Sequence, residues 1–550
     1  MTVHGNGVRV IPIGGVGEFG ANATIIQTKE TCVLVDYGLM FPPDTRQPGV
    51  DFYVNDPELL LEQFPDLSAL FVTHAHEDHI GGVGFLLEKR ELQIYAMPYT
   101  AQMLERALDF FDVSPKIKEV SLNEAITHGD ISVEFIGVTH SIAQACALAI
   151  TTPDGTILHT GDFKVDPLPA DNYPFQSQRL REIGKQGVDL LIMDSTNALK
   201  DGFCPSDHEL VPHIEEVIRE AKGRVFFTTF SSHMPRLKHL KKIARATGRK
   251  IALIGRGFRK HFEISVNTKY IENFPDLFIS SSRQDVPDKE LIYVVTGSQA
   301  EQQSALVRIC KDGFKGIRIR SGDRVIFSSK SIPGNERQIA LLASDLERIG
   351  AEVVTTRNSH VHASGHGYRE DVAYMLSLTN PKTVAPIHGE FVMLLNHFQW
   401  MRSLVREDQQ TLLIEDGDVL MVKNGDVKLD GRRETRLLPI DGVRVKPISC
   451  QTLRERKDMM YAGMVLVNAN IKAGPPEQNT YQVDAHGMVE LEPGEIGSRV
   501  ETILQSLQYI ADASRSEWNH AIFTMVKKAM KREFGVRPLI KVVINGVVTR

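Results

Sequence analysis

The chain has 550 residues, of which 42% are hydrophobic and 24% are charged, and its formal net charge at pH 7 is −6. This length is too great for one hydrophobic core, so the sequence predicts two to four domains of ordinary globular composition. The acidic balance, with a pI of about 6.4, excludes bulk attraction to nucleic acid, so such a partner would need a local basic patch.

The five cysteines are scattered and form no CxxC pair. This pattern argues against a disulfide framework and a thiolate zinc site, and it indicates a reducing compartment. Residues 1–15 lack a basic segment followed by a long apolar one, and no apolar run approaches the roughly 20 residues of a membrane span. A cytoplasmic location without membrane contact is therefore expected.

Short β-strands separated by glycine-rich turns are predicted for the first part of the chain, at VRVIPI, ATIIQT and TCVLVD. The turn GGVGEFG has the GxGxxG spacing of a dinucleotide-binding site at Gly15, Gly17 and Gly20, and Asp36 ends a later strand. That site requires a helix after the glycines, whereas ANATIIQTKETCVLVD favours a hairpin. We therefore predict no dinucleotide site.

A group of histidines and carboxylates follows the next predicted strand, in FVTHAHEDHIGG (residues 71–82). His74 and His76 alternate along an extended chain, so their side chains point the same way. Asp78 and His79 are adjacent and point in different directions, so one loop can serve two metal ions side by side. Imidazole and carboxylate groups are suitable ligands for Zn²⁺ and similar divalent ions, so the loop predicts a metal site.

Further polar residues lie at the ends of later apolar strands. His140 ends EFIGVTH, Asp162 follows TILHTG, and His388 follows KTVAPI. Each of them alone would be interpreted as an ordinary strand-end residue. Together with the histidine-rich loop they form a set that can complete a site for two metal ions.

The middle of the chain has a different pattern, typical of an α/β module with a parallel sheet, from about Cys204 to Thr355. Four apolar runs, such as RVFFTTF and LIYVVTG, alternate there with helical stretches. Beyond this module, DQQTLLIEDGDVLMVKNGDVKL is expected to form hairpins, and AGPPEQNTYQVDAHG has the composition of a linker. Two helices and a strand, PLIKVVINGVV, are predicted at the end of the chain.

These motifs, taken together, resemble the metallo-β-lactamase superfamily and, within it, the β-CASP nucleases of the ribonuclease J family. The resemblance covers essentially the whole chain, in the family's order, at GGVGEFG, FVTHAHEDHIGG, VTHSI, HTGDFKVD, MDSTNA, TGSQ, VIFSSKSIPGNE, HASGH, PIHGE and RPLIKVVI. It implies an α/β fold, namely a metallo-β-lactamase αββα sandwich with an inserted β-CASP α/β domain and a small α+β C-terminal domain. The implied limits are 1–204 and 359–472 for the two parts of the metallo-β-lactamase domain, 205–358 for the β-CASP domain, 473–490 for a linker and 491–550 for the C-terminal domain.

The resemblance also implies the ligands and the catalytic groups. Two divalent ions per chain are expected, with Zn²⁺ first and Mn²⁺ or Mg²⁺ as alternatives. Asp194 and His366 match two β-CASP motifs; the histidine would face the scissile phosphate, and the aspartate would orient this histidine or a metal ligand. One ion would be held by His74, His76 and His140, the other by Asp78, His79 and His388, with Asp162 bridging them.

RNA-binding residues follow from the same resemblance. The loop after residue 361 would hold the RNA backbone or the 5′ phosphate, and a second loop, after RVFFTTF, aligns with another backbone-binding loop. A basic run of ten lysines and arginines without an acidic residue, RLKHLKKIARATGRKIALIGRGFRKHF, is hypothesised to track phosphates. The loop residues are His362, Ala363, Ser364, Gly365 and His366 in the first loop, and Ser231, Ser232 and His233 in the second.

The implied function is a metal-dependent ribonuclease in which a hydroxide activated by two metal ions attacks phosphorus. A 5′-to-3′ exonuclease with additional endonuclease activity is expected, acting on single-stranded RNA with a 5′-monophosphate in rRNA processing and mRNA decay, as a homodimer or homotetramer. The sequence departs from the family pattern at SIAQAC, AEQQ, FSSHMPR and GYRED, so it does not predict whether the family's 5′-end pocket is present or which of the two activities dominates. Two alternatives remain, a metallo-hydrolase of a small ester or lactam and a non-catalytic RNA-binding subunit.

Overall fold

The chain forms two units in the computed structural model. One consists of Met1–Met40 and Val54–Leu437, and the other of Phe41–Tyr53 and Leu438–Arg550. The structure describes residues 7–42, 47–169, 173–274, 277–279, 286–332, 334–472, 478–489, 494–507 and 513–546.

Two large sheets form the framework of the first unit, and they include the strands predicted at VRVIPI, ATIIQT and TCVLVD. The eight-stranded sheet has the order Asp426–Arg432, Asp418–Lys423, Val8–Gly14, Ala23–Gln27, Cys32–Val35, Leu67–Phe71, Gln93–Ala96 and Lys116–Glu119. The seven-stranded sheet has the order Ala125–His128, Ile131–Gly137, Cys146–Thr152, Gly155–His159, Leu190–Asp194, Thr383–Ile387 and Gln410–Thr411.

The two sheets share one buried core, because alternate residues of each strand point to opposite faces. Val33 of the first sheet and Ile192 of the second belong to the same hydrophobic cluster. Their neighbours Leu34 and Leu191 belong to another cluster, together with residues of helices such as Pro98–Leu108. This layering is the predicted αββα sandwich.

The glycine-rich turn near the N-terminus connects strands, as the sequence predicted. Val8–Gly14 pairs antiparallel with Ala23–Gln27, which in turn pairs antiparallel with Cys32–Val35. No helix follows the glycines, so a pyrophosphate has no helix N-terminus to bind. The predicted hairpin of Asp418–Lys423 and Asp426–Arg432 is also present.

A five-stranded, wholly parallel sheet lies between the two halves of the sandwich sequence. Its strands are largely apolar and form hydrophobic clusters on both faces, which is typical of a parallel sheet covered by helices. This sheet is the predicted α/β module. Its order is Lys250–Ile254, Leu291–Val295, Val225–Thr228, Arg324–Phe327 and Glu352–Val354.

The second unit contains a three-stranded sheet of Met464–Asn470, Thr480–His486 and Leu539–Asn545. A linker was expected at 473–490, but Thr480–His486 is a strand, because all seven of its residues pair with Met464–Asn470. Residues 473–477 and 490 lie outside the described residues. The sheet also includes a strand that was expected to belong to the sandwich, so the C-terminal fold begins earlier in the chain than 491.

The remaining elements are helices and short strands, and no helix in the described parts of the chain is long and apolar enough to cross a membrane. The short strands are Val16–Gly17, Leu39–Met40, Phe52–Asn55, Gly389–Glu390, Leu437–Asp441 and Lys446–Pro447. The α-helices are Pro57–Gln63, Glu77–Ile80, Val83–Leu87, Pro98–Leu108, Ser177–Gln186, Val211–Glu220, Met234–Thr247, Arg256–Asn267, Ala305–Lys311, Glu336–Arg348, Arg369–Thr379, Phe391–Leu404, Cys450–Ala462, Glu495–Leu504 and Arg515–Glu533. The 3₁₀ helices are Asp207–Leu210 and Asp288–Glu290.

Candidate metal centre

Three histidines converge at the ends of strands from both sheets. The Nε2 atom of His74 lies 3.1 Å from Nδ1 of His76, and Nε2 of His140 lies 3.1 Å from the same Nδ1. Asp162 completes the group, with its Oδ2 atom 3.6 Å from Nε2 of both His74 and His140. The alternation of His74 and His76 along the chain therefore brings both rings to one point, as predicted.

A second group adjoins the first and shares Asp162 with it. The Oδ1 atom of Asp162 lies 3.3 Å from Nε2 of His79 and 3.6 Å from Nε2 of His388. Asp78 faces the same point, 3.2 Å from Nε2 of His388. All seven predicted ligands are thus brought together, and the donor atoms within each group lie within 4.8 Å of one another.

The chemistry of the first group fits a divalent cation. Burial lowers the pKa of His74 and His140 well below the usual value for histidine, and it lowers the pKa of His76 to about 4. Neutral rings at 3.1 Å turn lone pairs toward one another, and only a proton or a cation can satisfy them together. Three imidazole nitrogens and a carboxylate oxygen are a suitable donor set for Zn²⁺.

The second group fits a cation for a different reason. Burial alone would lower the pKa of His79 and His388, but nearby carboxylates, Asp162 foremost, raise both well above the usual value. The pKa of Asp162 itself is held well below its usual range by His388, His79 and His74, against the effect of burial. Because a metal competes with protons for these ligands, a divalent ion can replace the positive charge on the rings.

The ligand rings are fixed through their other ring nitrogens. Nδ1 of His140 donates to the carbonyl of Gly365 at 2.7 Å. Nδ1 of His388 lies 2.7 Å from the hydroxyl of Thr196, which itself donates to Asp194. Each of these contacts selects the tautomer that leaves Nε2 free for a metal. A side chain at Gly365 would collide with the His140 ring, so this position requires glycine.

Asp36 supports one ligand from each group. Its Oδ2 atom accepts from Nδ1 of His79 at 2.7 Å and from the hydroxyl of Thr73 at 2.7 Å. The Thr73 oxygen lies 3.0 Å from Nδ1 of His74. Asp36 adopts a φ of +58°, an uncommon backbone conformation, and from this position its carboxylate contacts His79 directly and His74 through Thr73.

The sequence did not predict this supporting role of Asp36, nor those of Thr73, Thr196 and Asn22. Asn22 directs its amide nitrogen toward Nε2 of His79 at 3.2 Å and donates to the backbone of Asp78 at 3.0 Å. The available signal was position, because three of the four residues follow an apolar strand within two residues and Asn22 ends the turn before one. That signal does not say which ring a side chain will meet.

His366 and Asp194 form a pair beside the two ligand groups. Nδ1 of His366 donates to Oδ2 of Asp194 at 2.7 Å, and its Nε2 lies 4.0 Å from Oδ2 of Asp162. Burial alone would lower the pKa of His366, but Asp194 and Asp162 raise it. The two carboxylates therefore favour the protonated imidazole, and its Nε2 faces the metal centre.

The first predicted RNA-binding loop adjoins the centre. The hydroxyl of Ser364 accepts from the amide of Asn197 at 2.7 Å and from the backbone of His366 at 3.3 Å. The side chain of Ala363 is buried, and the carbonyl of Gly365 accepts from the ring of His140. His362 is partly exposed, and its Nδ1 has no partner among the described residues.

The residues of the second predicted loop, 231–233, differ in position: one lies near the metal centre and one is enclosed in the protein. The Ser232 hydroxyl lies 3.2 Å from Nε2 of His76, so this residue contacts a proposed ligand. Ser231 packs close to Gly257. His233 is 1% exposed and its Nε2 lies 3.4 Å from Oδ2 of Asp207. Because its ring is enclosed, we assign His233 a structural role and not contact with RNA.

The basic run is only in part a surface. Arg236 is fully buried and contacts Asp207, Ser328 and the carbonyl of Val361. Arg249 is buried and donates to three backbone carbonyls. The hypothesis that the whole run tracks phosphates is therefore wrong for these two residues.

Family models match three consecutive parts of the chain. Residues 31–224 match a beta-lactamase superfamily domain, and residues 222–346 match the ribonuclease J beta-CASP domain. Residues 350–410 match a Zn-dependent metallo-hydrolase RNA specificity domain. The order of the three agrees with an α/β module inserted in a sandwich.

Relatives that match nearly the whole chain are named ribonuclease J. Ribonuclease J of Thermus thermophilus is 34% identical over 98% of this chain and 95% of its own length. Ribonuclease J of Helicobacter pylori (strain 26695) is 32% identical over 97% of this chain and 79% of its own length. A crystal structure of a protein of unknown function from Enterococcus faecalis has a TM-score of 0.54 at 19% identity, covering 76% of this chain and all of that one, which supports the fold alone.

The fold and the ligand groups together define a hydrolase of the metallo-β-lactamase fold with a centre suited to divalent metal ions. Within that class the matches select one kind of substrate, since the inserted domain and the domain that follows it are those of RNA-cleaving enzymes. The chain belongs to the ribonuclease J family and is a metal-dependent ribonuclease. This result favours the first of the three functions that the sequence left open.

Proposed function

We propose that the chain hydrolyses RNA with two divalent ions, one in each ligand group, and that Zn²⁺ is the resident metal. The observation that supports two ions is Asp162, whose two oxygens face different groups. Bound ions would lower the pKa of water toward neutrality and polarise a phosphate oxygen. Metal analysis of the purified protein tests the number, and two equivalents of zinc per chain are expected.

The protein's own residues supply the remaining chemistry. Asp194 holds the His366 ring so that its Nε2–H faces the metal centre, where the scissile phosphate would lie. A charged imidazole at that position can stabilise the developing negative charge or donate its proton to the leaving 3′ oxygen. His366→Gln should therefore lower kcat on a labelled RNA while KM changes little. Changes of equal size in kcat and KM would contradict this role.

We also propose that the protein acts mainly as a 5′-to-3′ exonuclease on RNA with a 5′-monophosphate and less as an endonuclease. Lys200 supports this proposal as a group that can bind an anion, because it has no acidic partner among the described residues and lies over the ring of Tyr368, 4.6 Å from its centre. Burial and Lys330 lower the pKa of Lys200 to about 8. A bound phosphate would compensate the positive charge of these two lysines.

Three RNAs of one sequence test that balance. A linear 5′-monophosphate RNA, its 5′-triphosphate form and a circular form are incubated with the protein and Zn²⁺, Mn²⁺ or Mg²⁺. Rapid release of mononucleotides from the monophosphate form alone is expected for an exonuclease. Cleavage of the circle measures endonuclease activity, and a circle cut as fast as the linear RNA would overturn the proposed balance.

The exposed part of the basic run is proposed to contact phosphates on the way to the centre. Arg256 and Arg259 are exposed on one helix, and Lys242 on another. Their triple replacement by alanine should reduce the slope of log affinity against log salt by up to about 0.7 for each phosphate that the protein no longer neutralises. An unchanged slope would assign these residues to an ordinary solvated surface.

Dimerisation through the second unit is also proposed. None of the side chains of helix Cys450–Ala462 is buried, and Met459, Met460 and Tyr461 are among the exposed large apolar residues. A contiguous apolar group of this kind indicates a contact with another copy. Light scattering should give a dimer or tetramer for the native chain and a smaller species for Met460→Glu.

The domain limits remain a proposal as well. The ranges 1–204 and 205–358 are supported by the matched ranges 31–224 and 222–346, which meet in the same region of the chain. Limited proteolysis followed by mass spectrometry of the fragments would test these boundaries.

A further inference from the structure

A cavity of about 550 Å³ lies in the first unit, and none of the seven proposed metal ligands lines it. Its walls come from residues 165–169 and 174–177, from helix Met234–Thr247 and from helix Arg369–Thr379. This volume is within the roughly 300–1,000 Å³ of small-molecule sites. Neither the metal chemistry nor the two proposed RNA-binding loops use it, and of the basic residues proposed to contact phosphates only Lys242 is in its lining.

One part of the wall is aromatic. Phe175 and Tyr374 are both partly exposed, and their ring centres lie 6.4 Å apart with planes inclined by 38°. Pro167, Pro169 and Pro174 also line the cavity. Flat apolar groups of this kind provide faces on which a planar heterocycle can stack.

Another part of the wall carries an uncompensated polar group. His239 is 1% exposed, and neither of its ring nitrogens has a hydrogen-bond partner in the described parts of the chain. Burial, more than the nearby charges, lowers its pKa to about 4, so the ring is neutral at pH 7 with one donor and one acceptor. A buried donor and acceptor without partners are costly, so a ligand group that pairs with one of the two nitrogens would stabilise this position.

The cavity also has a positive side. Lys242 and His208 line it and are exposed, and Lys242 has no ion pair with any residue that the structure describes. Asp166 lines it too, but its carboxylate accepts from the hydroxyl of Ser206 at 2.6 Å and pairs with Lys164 at 3.3 Å. Because the negative charge is compensated within the protein, the free charge at the cavity is that of Lys242.

We propose that this cavity binds one nucleotide unit outside the metal centre. The base would stack on Phe175 or Tyr374 and present its polar edge to His239, and the phosphate would lie at Lys242 and His208. This inference rests on the ribonuclease function, because RNA and its products are the nucleotides that the protein meets. Two sources have this chemistry, a nucleotide within the RNA chain and a free mononucleotide released from it.

Photocrosslinking can test the proposal in the full-length protein. The probes are 4-thiouridine 5′-monophosphate and a short oligonucleotide that contains 4-thiouridine and cleavage-resistant phosphorothioate linkages. After near-ultraviolet irradiation, mass spectrometry should find label on peptides that contain Phe175 or Tyr374. Labelling by both probes or by the oligonucleotide alone assigns the site to RNA, and labelling by the mononucleotide alone assigns it to a released product.

Variants and competitors make the outcome decisive. Tyr374→Ala and His239→Leu should each reduce labelling of the cavity peptides about tenfold or more, since one removes a stacking face and the other both polar atoms. Lys311→Ala removes an exposed charge from another helix and should leave the labelling unchanged. Urea unfolding of each variant shows whether it is folded before it is labelled.

Three results would overturn the proposal: label confined to peptides of the metal centre, equal labelling of His239→Leu and wild type, or full competition by inorganic phosphate at the concentration that suffices for uridine monophosphate. Wild-type cleavage of a 5′-monophosphate RNA is measured in parallel. If cleavage occurs without label in the cavity, the second site alone is rejected. If no cleavage occurs, the proposed function fails independently of the cavity.

Discussion

Two buried clusters of histidine and aspartate lie in the first unit, and they differ in how their charges are compensated. In the metal centre, no lysine or arginine forms an ion pair with Asp78, Asp162 or Asp194 among the described residues. In the other cluster, Asp207 pairs with Arg236, and His233 lies beside them. Residue types and burial are similar, but only the first cluster directs donor atoms at a common point.

This difference separates function from structure. The cluster around Asp207 compensates its own charge, so it requires nothing from outside the protein. The metal centre turns three neutral imidazoles, two further histidines and the carboxylates toward common points, where a divalent cation would compensate the carboxylates. The same comparison explains why Arg236, although it belongs to a basic run, is a poor candidate for contact with RNA.

The largest effect is expected from His76→Ala in the metal centre. His76 lies 3.1 Å from two other donor nitrogens, so its loss opens one ligand group. RNA cleavage should fall by more than the roughly 10- to 100-fold typical of losing an outer partner of a ligand. Thermal unfolding of the apo protein should change little, and a variant as active as wild type would remove the metal centre from the mechanism.

The opposite pattern is expected from Arg236→Met in the compensated cluster. Its removal leaves Asp207 buried with a weaker set of partners, which typically costs about 3–5 kcal/mol of unfolding free energy. Urea denaturation measures the change, and Arg259→Ala, an exposed arginine of the same run, should stay within about 0.5 kcal/mol of wild type. Near-equal values for the two would show that the cluster does not stabilise the fold.

A smaller effect on metal binding is expected from Asp36→Asn. The amide keeps the size of the side chain but has one accepting atom, whereas both carboxylate oxygens accept, Oδ2 from His79 and the Thr73 hydroxyl and Oδ1 from the Thr73 backbone. Zinc affinity should fall about 10- to 100-fold, with activity restored by excess zinc. If excess metal fails to restore activity, Asp36 has a role beyond orienting the ligands.

The smallest effect concerns the acid limb of stability. Burial alone would raise the pKa of Asp207, but Arg236 and Lys164 hold it well below its usual range, so the folded state loses this proton before the unfolded chain does. The stabilisation is complete above the unfolded pKa of about 3.9 and is lost as pH falls toward the folded pKa.

Urea midpoints at pH 5 and pH 3.5 test this sign. The wild-type midpoint should be lower at pH 3.5 than at pH 5. The midpoint of Asp207→Asn, which has no carboxylate to protonate at this position, should decrease less. Other acidic residues contribute equally to both proteins, so the difference isolates Asp207. Parallel decreases would show that its carboxylate has the same pKa in the folded and unfolded states.

The ligands were predictable because a local pattern carries them. Alternation in HAHEDH sets the direction of side chains within one loop, and His140, Asp162 and His388 each follow an apolar strand. Strand ends at one edge of a sandwich must lie near each other, so the set could be assembled without coordinates. The inserted parallel module was predictable from its alternating apolar and helical segments for the same reason.

Only the tertiary structure decided which nitrogens face the metal centre and which charges are compensated by other groups of the protein. His140 is oriented by a carbonyl 225 residues away, and Arg236 meets Ser328 across 92 residues. A residue's type and spacing define what it can donate or accept. Whether that capacity is directed at a metal, a substrate or the protein itself depends on partners that only folding brings within hydrogen-bond distance.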